Sequence, residues 1–106
     1  SVVVDAVDKE LGNLIVATDK KLILILAKVL AVAPAGRRGD IQIKLLRGAT
    51  FLDASFASLV NGEITTITVI SLDSPGPGTH IYKLFGTPVG SAISISMRQM
   101  SAVELR

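Results

Sequence analysis

The sequence predicts an all-β chain, a sandwich or barrel of eight or nine short strands, and three observations carry that prediction. The first is Lys21–Ala33, KLILILAKVLAVA, in which eleven of the twelve residues after Lys21 are apolar and only Lys28 interrupts. The second is the recurrence of period-two patterns and β-branched runs through the rest of the chain, with no convincing helix. The third is punctuation: PAGRRG at 34–39, Asn61-Gly62 and SPGPG at 74–78 are turn chemistry at intervals suited to short strands. A helix competes for Lys21–Ala33, because Leu, Ala and Lys are good helix formers. The strand is preferred because everything after it has a period near two. As a membrane span the run is too short, below the ~20 residues required, and it carries a lysine.

Taken in order, Ser1–Val7 is a β-prone stretch that pairs within its own subunit or serves as an assembly arm. Asp8–Asn13 is polar and ends in a Gly-Asn turn signal, and Leu14–Ala17 is a short strand. Lys21–Ala33 is the central strand, with Leu22, Leu24, Leu26, Lys28 and Leu30 on one face and Ile23, Ile25, Ala27, Val29 and Ala31 on the other. Asp40–Arg47 alternates, Ile41, Ile43 and Leu45 inward and Gln42 and Lys44 outward, until Leu46 breaks the pattern. In Thr50–Ala57, Phe51 and Phe56 fall on opposite faces unless a bulge intervenes. Asn61-Gly62 is the strongest local hairpin signal. Glu63–Leu72, EITTITVISL, suits a pleated surface. After SPGPG, Thr79–Phe85 alternates, Gly86–Gly90 is a loop, Ala92–Met97 sends Ile93, Ile95 and Met97 inward, and Ala102–Leu105 closes the chain. No repeat or linker divides residues 1–106, which read as one domain.

Composition narrows the function classes. Of 106 residues, 49% are hydrophobic, which argues against a disordered tail, and 4% are aromatic with no Trp, so broad platforms for bases or sugars are scarce. A net charge of +2 does not call for nucleic acid as a partner. Without cysteine there is no disulfide, thiolate chemistry or cysteine-based metal site. The amino-terminal SVVVDAVDKE lacks the basic start of a signal peptide.

The segment Leu72–Tyr82, LDSPGPGTHIY, preceded by a Thr-rich strand and followed by the serine-rich Ile93–Arg98 and a final Ser101–Leu105, resembles small jelly-roll domains. These sit at the tips of bacterial spore-surface filaments and phage fibres and are related in fold to tumour-necrosis-factor-like trimers. The likeness runs from Leu14 onward and rests on turns and apolar strands, without a catalytic signature. It implies an antiparallel β-sandwich of jelly-roll type, a homotrimer, and an extracellular, spore-surface or virion location. The chain departs from such trimers in having only Phe51, Phe56, Phe85 and Tyr82 as aromatics.

Catalytic constellations are weak. Asp73, Ser74 and His80, the one histidine, spell a Ser-His-Asp set, but they crowd one turn and lack a nucleophile elbow. The nine carboxylates are scattered over loops and strand ends, with no pair placed for glycosidic chemistry. Asp8, Glu10 and Asp19 offer calcium ligands without an Asp-x-Asp-x-Asp loop. Gly36–Gly39 with Arg37 and Arg38 lacks the Gly-Lys-Ser/Thr end of a phosphate loop.

The expectation is therefore a non-enzymatic, self-assembling structural domain with no cofactor or metal; the alternative is a carbohydrate- or receptor-binding module. The Leu22, Leu24, Leu26, Lys28, Leu30 face is expected to be the subunit contact and the Ile23 face the core. A lysine is tolerable where its stem covers apolar surface and its amine reaches water or a carboxylate.

Overall fold

A chain with one doubly apolar strand and many alternating ones buries its apolar faces most simply between two sheets. The computed structural model, which describes residues 2–5, 7–19 and 22–105, shows that arrangement. Ser1 and Ala6 of the expected arm, and the pair Lys20–Lys21, lie outside the described residues. The strands are β1 (Val2–Val4), β2 (Lys9–Thr18), β3 (Ile23–Val32), β4 (Arg38–Arg47), β5 (Thr50–Val60), β6 (Ile64–Asp73), β7 (Gly78–Gly90) and β8 (Ile93–Glu104). A first sheet has the order β1-β8-β3-β6 and a second the order β2-β7-β4-β5, with every pairing antiparallel. Only β4 and β5 are consecutive strands that pair in one sheet; the other connections cross between sheets, the winding of a jelly-roll sandwich. Among the described residues no helix is long and apolar enough to cross a membrane.

The core follows the expected parity. Ile23, Ile25, Ala27, Val29 and Ala31 of β3 are buried against Ile41, Ile43 and Leu45 of β4 and Tyr82 and Leu84 of β7. Ile93 and Ile95 of β8 complete the layer, and Val4 of β1 reaches it from the edge. Two glycines allow close approach. A Cβ on Gly39 would lie 2.6 Å from Ile93 Cδ1 and 2.9 Å from the Ser91 carbonyl oxygen, and one on Gly86 would press on Leu11 and Val4.

Four local expectations are corrected. Residues 9–13, expected in a turn, belong to β2, and a bulge between Glu10 and Gly12 absorbs the irregular pattern there. Gly86–Gly90 is strand rather than loop, because the β4 ladder continues through Thr87, Pro88 and Val89 to Gly90. The two carboxy-terminal strands are one, β8, and a bulge opposite Leu30 and Ala31 turns Met97 outward, where it is 63% exposed. The Asn61-Gly62 turn forms with positive φ at both residues and a 3.0 Å bond from Glu63 N–H to the Val60 carbonyl, yet it is no in-sheet hairpin. β5 spends its ladder on β4 and β6 on β3, so the turn is a corner between sheets. The loop after β3 locks it: Asn61 N–H donates to the Arg37 carbonyl at 2.7 Å, and Gly36 N–H to Asn61 Oδ1 at 3.2 Å. Beyond the corner, Ser55 Oγ donates to the Thr68 carbonyl at 2.7 Å, holding β5 to β6.

A bulge also decides the phenylalanines. Between Leu45 and Leu46, β5 carries the extra residue Leu52, so Phe51 pairs with Leu46 and Phe56 with Gln42 on the same outer face.

At one end the sheets are tied by a polar bridge. Asp73, last in β6, accepts from Arg47 Nε at 2.7 Å and Nη2 at 3.3 Å, and from the Tyr82 hydroxyl at 2.7 Å. Burial pushes the Asp73 carboxyl up, but the hydrogen bonds from Arg47 and Tyr82 outweigh it and hold it below the ordinary value. Burial and the carboxylate both push the Tyr82 phenol up.

Candidate functional site

The outer faces of the two sheets differ in chemistry. On the second sheet ion pairs of Lys44 with Asp8, Lys83 with Glu10 at 3.3 Å, and Arg38 with Asp40 at 3.8 Å lie among exposed apolar side chains that include Ile15, Ile81 and Val89. The hydrogen bonds from Lys44 and from the Thr87 hydroxyl hold the Asp8 carboxyl below its usual range. Three aromatic rings, Phe51, Phe56 and Phe85, sit on this face.

The first sheet's outer face is of another kind. β3 is interior to its sheet, and its register with β6 and β8 assembles the face row by row. Leu24 lies between Leu72 and Val103, and Leu26 between Ile70 and Ser101; then Lys28 lies between Thr68 and Gln99, Leu30 between Thr66 and Met97, and Val32 between Ile64 and Ser94. Side chains directly opposite in such a ladder are in contact range. Leu72, Ile70 and Val103 are 60%, 55% and 53% exposed. Of all the positions in these rows only Lys28 is charged, and it divides the face into two apolar halves. Among the described residues Lys28 makes no ion pair. Beside it lies a shallow depression of about 130 Å³ whose walls include Lys28, Leu30, Thr66, Met97 and Gln99.

The five residues expected at a subunit contact thus share one line on this outer face: Leu22 just before β3, then Leu24, Leu26, Lys28 and Leu30. Sequence reasoning missed their neighbours Ile70, Leu72, Val103, Met97, Thr68 and Gln99, because a face is made by register between distant strands. The one local signal was that Thr66, Thr68, Ile70 and Leu72 share a parity in EITTITVISL.

The residues that spelled a triad are not brought together. Asp73 is engaged by Arg47 and Tyr82, and His80 Nε2–H donates to the Gly76 carbonyl at 2.8 Å across the SPGPG turn. Asp8 and Glu10 are taken up by lysines of the second sheet, and among the described residues no group of three or more His, Asp or Glu converges as metal ligands would. Arg37 and Arg38 are exposed at the loop, Arg38 toward Asp40. A second depression, about 360 Å³, opens between β2 and β8, where Arg98 Nη1 donates to the Leu11 carbonyl at 3.1 Å. Compared with protein-family models, with curated proteins and with solved structures, the chain matches none.

Proposed function

We propose that this chain is a non-enzymatic structural domain that assembles with copies of itself through the outer face of the first sheet. One observation carries the reading: a sheet face whose rows run Leu72–Leu24–Val103 and Ile70–Leu26 holds one charge, while on the opposite sheet ion pairs are interleaved with the exposed apolar side chains. Contiguous apolar surface of this kind marks interaction sites, and a copy of the same chain is the simplest partner that offers matching surface. A count of three, and a place on an extracellular filament, spore surface or virion, come from the resemblance of the carboxy-terminal half to jelly-roll trimers. The aromatic departure remains: Tyr82 is buried within the subunit and the phenylalanines lie on the other sheet, so the contact would be aliphatic.

A second reading, a glycan- or receptor-binding module, is favoured by the Phe51 and Phe56 rings, 57% and 60% exposed on one face. The self-association reading ranks first because phenylalanine offers no polar handle to orient a sugar.

The experiment compares adjacent residues of β3. Leu24→Asp places its carboxylate on the outer face and should give a folded protein of smaller hydrodynamic size. Ile25 is fully buried, and an unpaired carboxylate there costs several kcal/mol, comparable to the stability of a small domain, so Ile25→Asp should not fold. Sedimentation and circular dichroism decide. A Leu24→Asp protein that assembles as before refutes the interface, and a folded Ile25→Asp refutes the core assignment.

A further inference from the structure

The lysine at the centre of this face sets a problem for any assembly that covers it. An ammonium taken out of water without a partner is strongly destabilising. The carboxylates nearest in register cannot serve. Asp73 and Glu104 stand opposite Ile23 at the start of β3, off the parity of Lys28, and Asp73 is already held by Arg47 and Tyr82. No acidic side chain lies in any row of the outer face among the described residues, so a second copy of that face brings more lysine and no counter-charge.

Lys28 does have hydrogen-bonding company. Thr68 and Gln99 are its direct cross-strand neighbours, Thr66 lies one row on, and the depression of about 130 Å³ has Lys28, Thr66 and Gln99 among its walls. We infer that the assembled face holds a small oxyanion of the sulfate or phosphate class, bound by the Lys28 ammonium, the Gln99 amide and the threonine hydroxyls of more than one copy. Cyclic symmetry brings equivalent residues of each copy to one level of the axis, so a single chain supplies only part of the site. Several copies offering ammonium, amide and hydroxyl donors present more donors than a monatomic ion can use, whereas an oxyanion has an acceptor for each.

The inference rests on the self-association reading, and one experiment separates their failures. Assembly is followed by sedimentation across a dilution series, in sulfate and in chloride at matched ionic strength, for the wild type and for Lys28→Met. Wild-type assembly should tighten about 10-fold or more between sulfate-free and saturating conditions, as linkage to a bound ligand requires. Lys28→Met, which keeps an apolar stem and removes the charge, should assemble tightly in either salt. Sulfate also strengthens apolar association generally, so the same sulfate response in Lys28→Met as in wild type overturns the site. Wild-type assembly indifferent to sulfate overturns it and leaves self-association standing, and a monomer under all conditions overturns both.

Discussion

Replacing Asp73 by alanine tests what joins the two sheets at the Arg47 end. The carboxylate is 6% exposed and accepts three hydrogen bonds, two from Arg47 and one from the Tyr82 hydroxyl. Its removal leaves the phenol, buried in a residue of 0% exposure, without its partner, at about 1–3 kcal/mol. The Arg47 side chain is 27% exposed, so water recovers part of its loss and its share is discounted to about 1 kcal/mol. The sum is about 2–4 kcal/mol, a fall in Tm of roughly 10–25 °C for a chain of this size. Urea unfolding followed by circular dichroism, at fixed protein concentration because assembly adds its own dependence, measures it. Tyr82→Phe alone should cost about 1 kcal/mol, and adding it to Asp73→Ala should recover part of the loss, since it removes the hydroxyl left without a partner. The pH dependence has a definite sign. Because the folded carboxyl lies below its ordinary 3.8, the bridge stabilises fully above that pH and is lost as pH falls through the folded value. The acid limb of wild-type stability should therefore be steeper than that of Asp73→Ala. A loss below about 0.5 kcal/mol, or strict additivity with Tyr82→Phe, refutes the bridge as a stabilising unit.

Gly39→Ala should cost about 1–3 kcal/mol through overpacking, because its Cβ meets Ile93 Cδ1 at 2.6 Å and the Ser91 carbonyl at 2.9 Å. Ile93→Val in that background should recover only part of it in thermal melts, since the backbone contact stays. For the glycan reading, Phe51→Ala with Phe56→Ala should abolish any signal on a glycan array while leaving assembly intact; an array blank with wild-type protein removes that reading.

What the sequence made legible was parity within single strands. The alternation of β3 and β4 separates buried from outward residues correctly, because a period of two is a local property of a pleated chain. Ladder continuity was not legible. Residues 86–90 and 98–101 contain glycine, proline or polar side chains that read as breaks, but β4 and β3 supply partners through both stretches. Bulges defeated parity where they fell: one residue shifts every later side chain to the other face, which exposed Met97 and placed Phe51 with Phe56. Asn61-Gly62 predicted its turn from four residues, but the sheets those strands join are chosen by pairings tens of residues away. The candidate face was half legible for the same reason. Its β3 line could be read directly, whereas Leu72, Ile70, Val103 and Gln99 enter it only through register.

Lys28 has a bland explanation that its position in the sheet argues against. Lysines often sit on β-strands as guards, their charge discouraging a neighbouring chain from pairing with an open edge. Guarding works at an edge strand, where backbone donors and acceptors are unpaired. β3 has no such edge: β6 pairs with it along ten residues on one side, and β8 covers the other. A charge on this strand therefore does nothing for strand addition and acts only on what approaches the face. There it stands between two apolar halves, flanked by threonine and glutamine rather than by a carboxylate. A face meant only for water has no need of the leucines and isoleucines on either side, and a face meant only for apolar contact has no need of the lysine. Both are accounted for when the apolar rows supply the contact and the lysine row supplies the one point at which a covered face must be met by an ion.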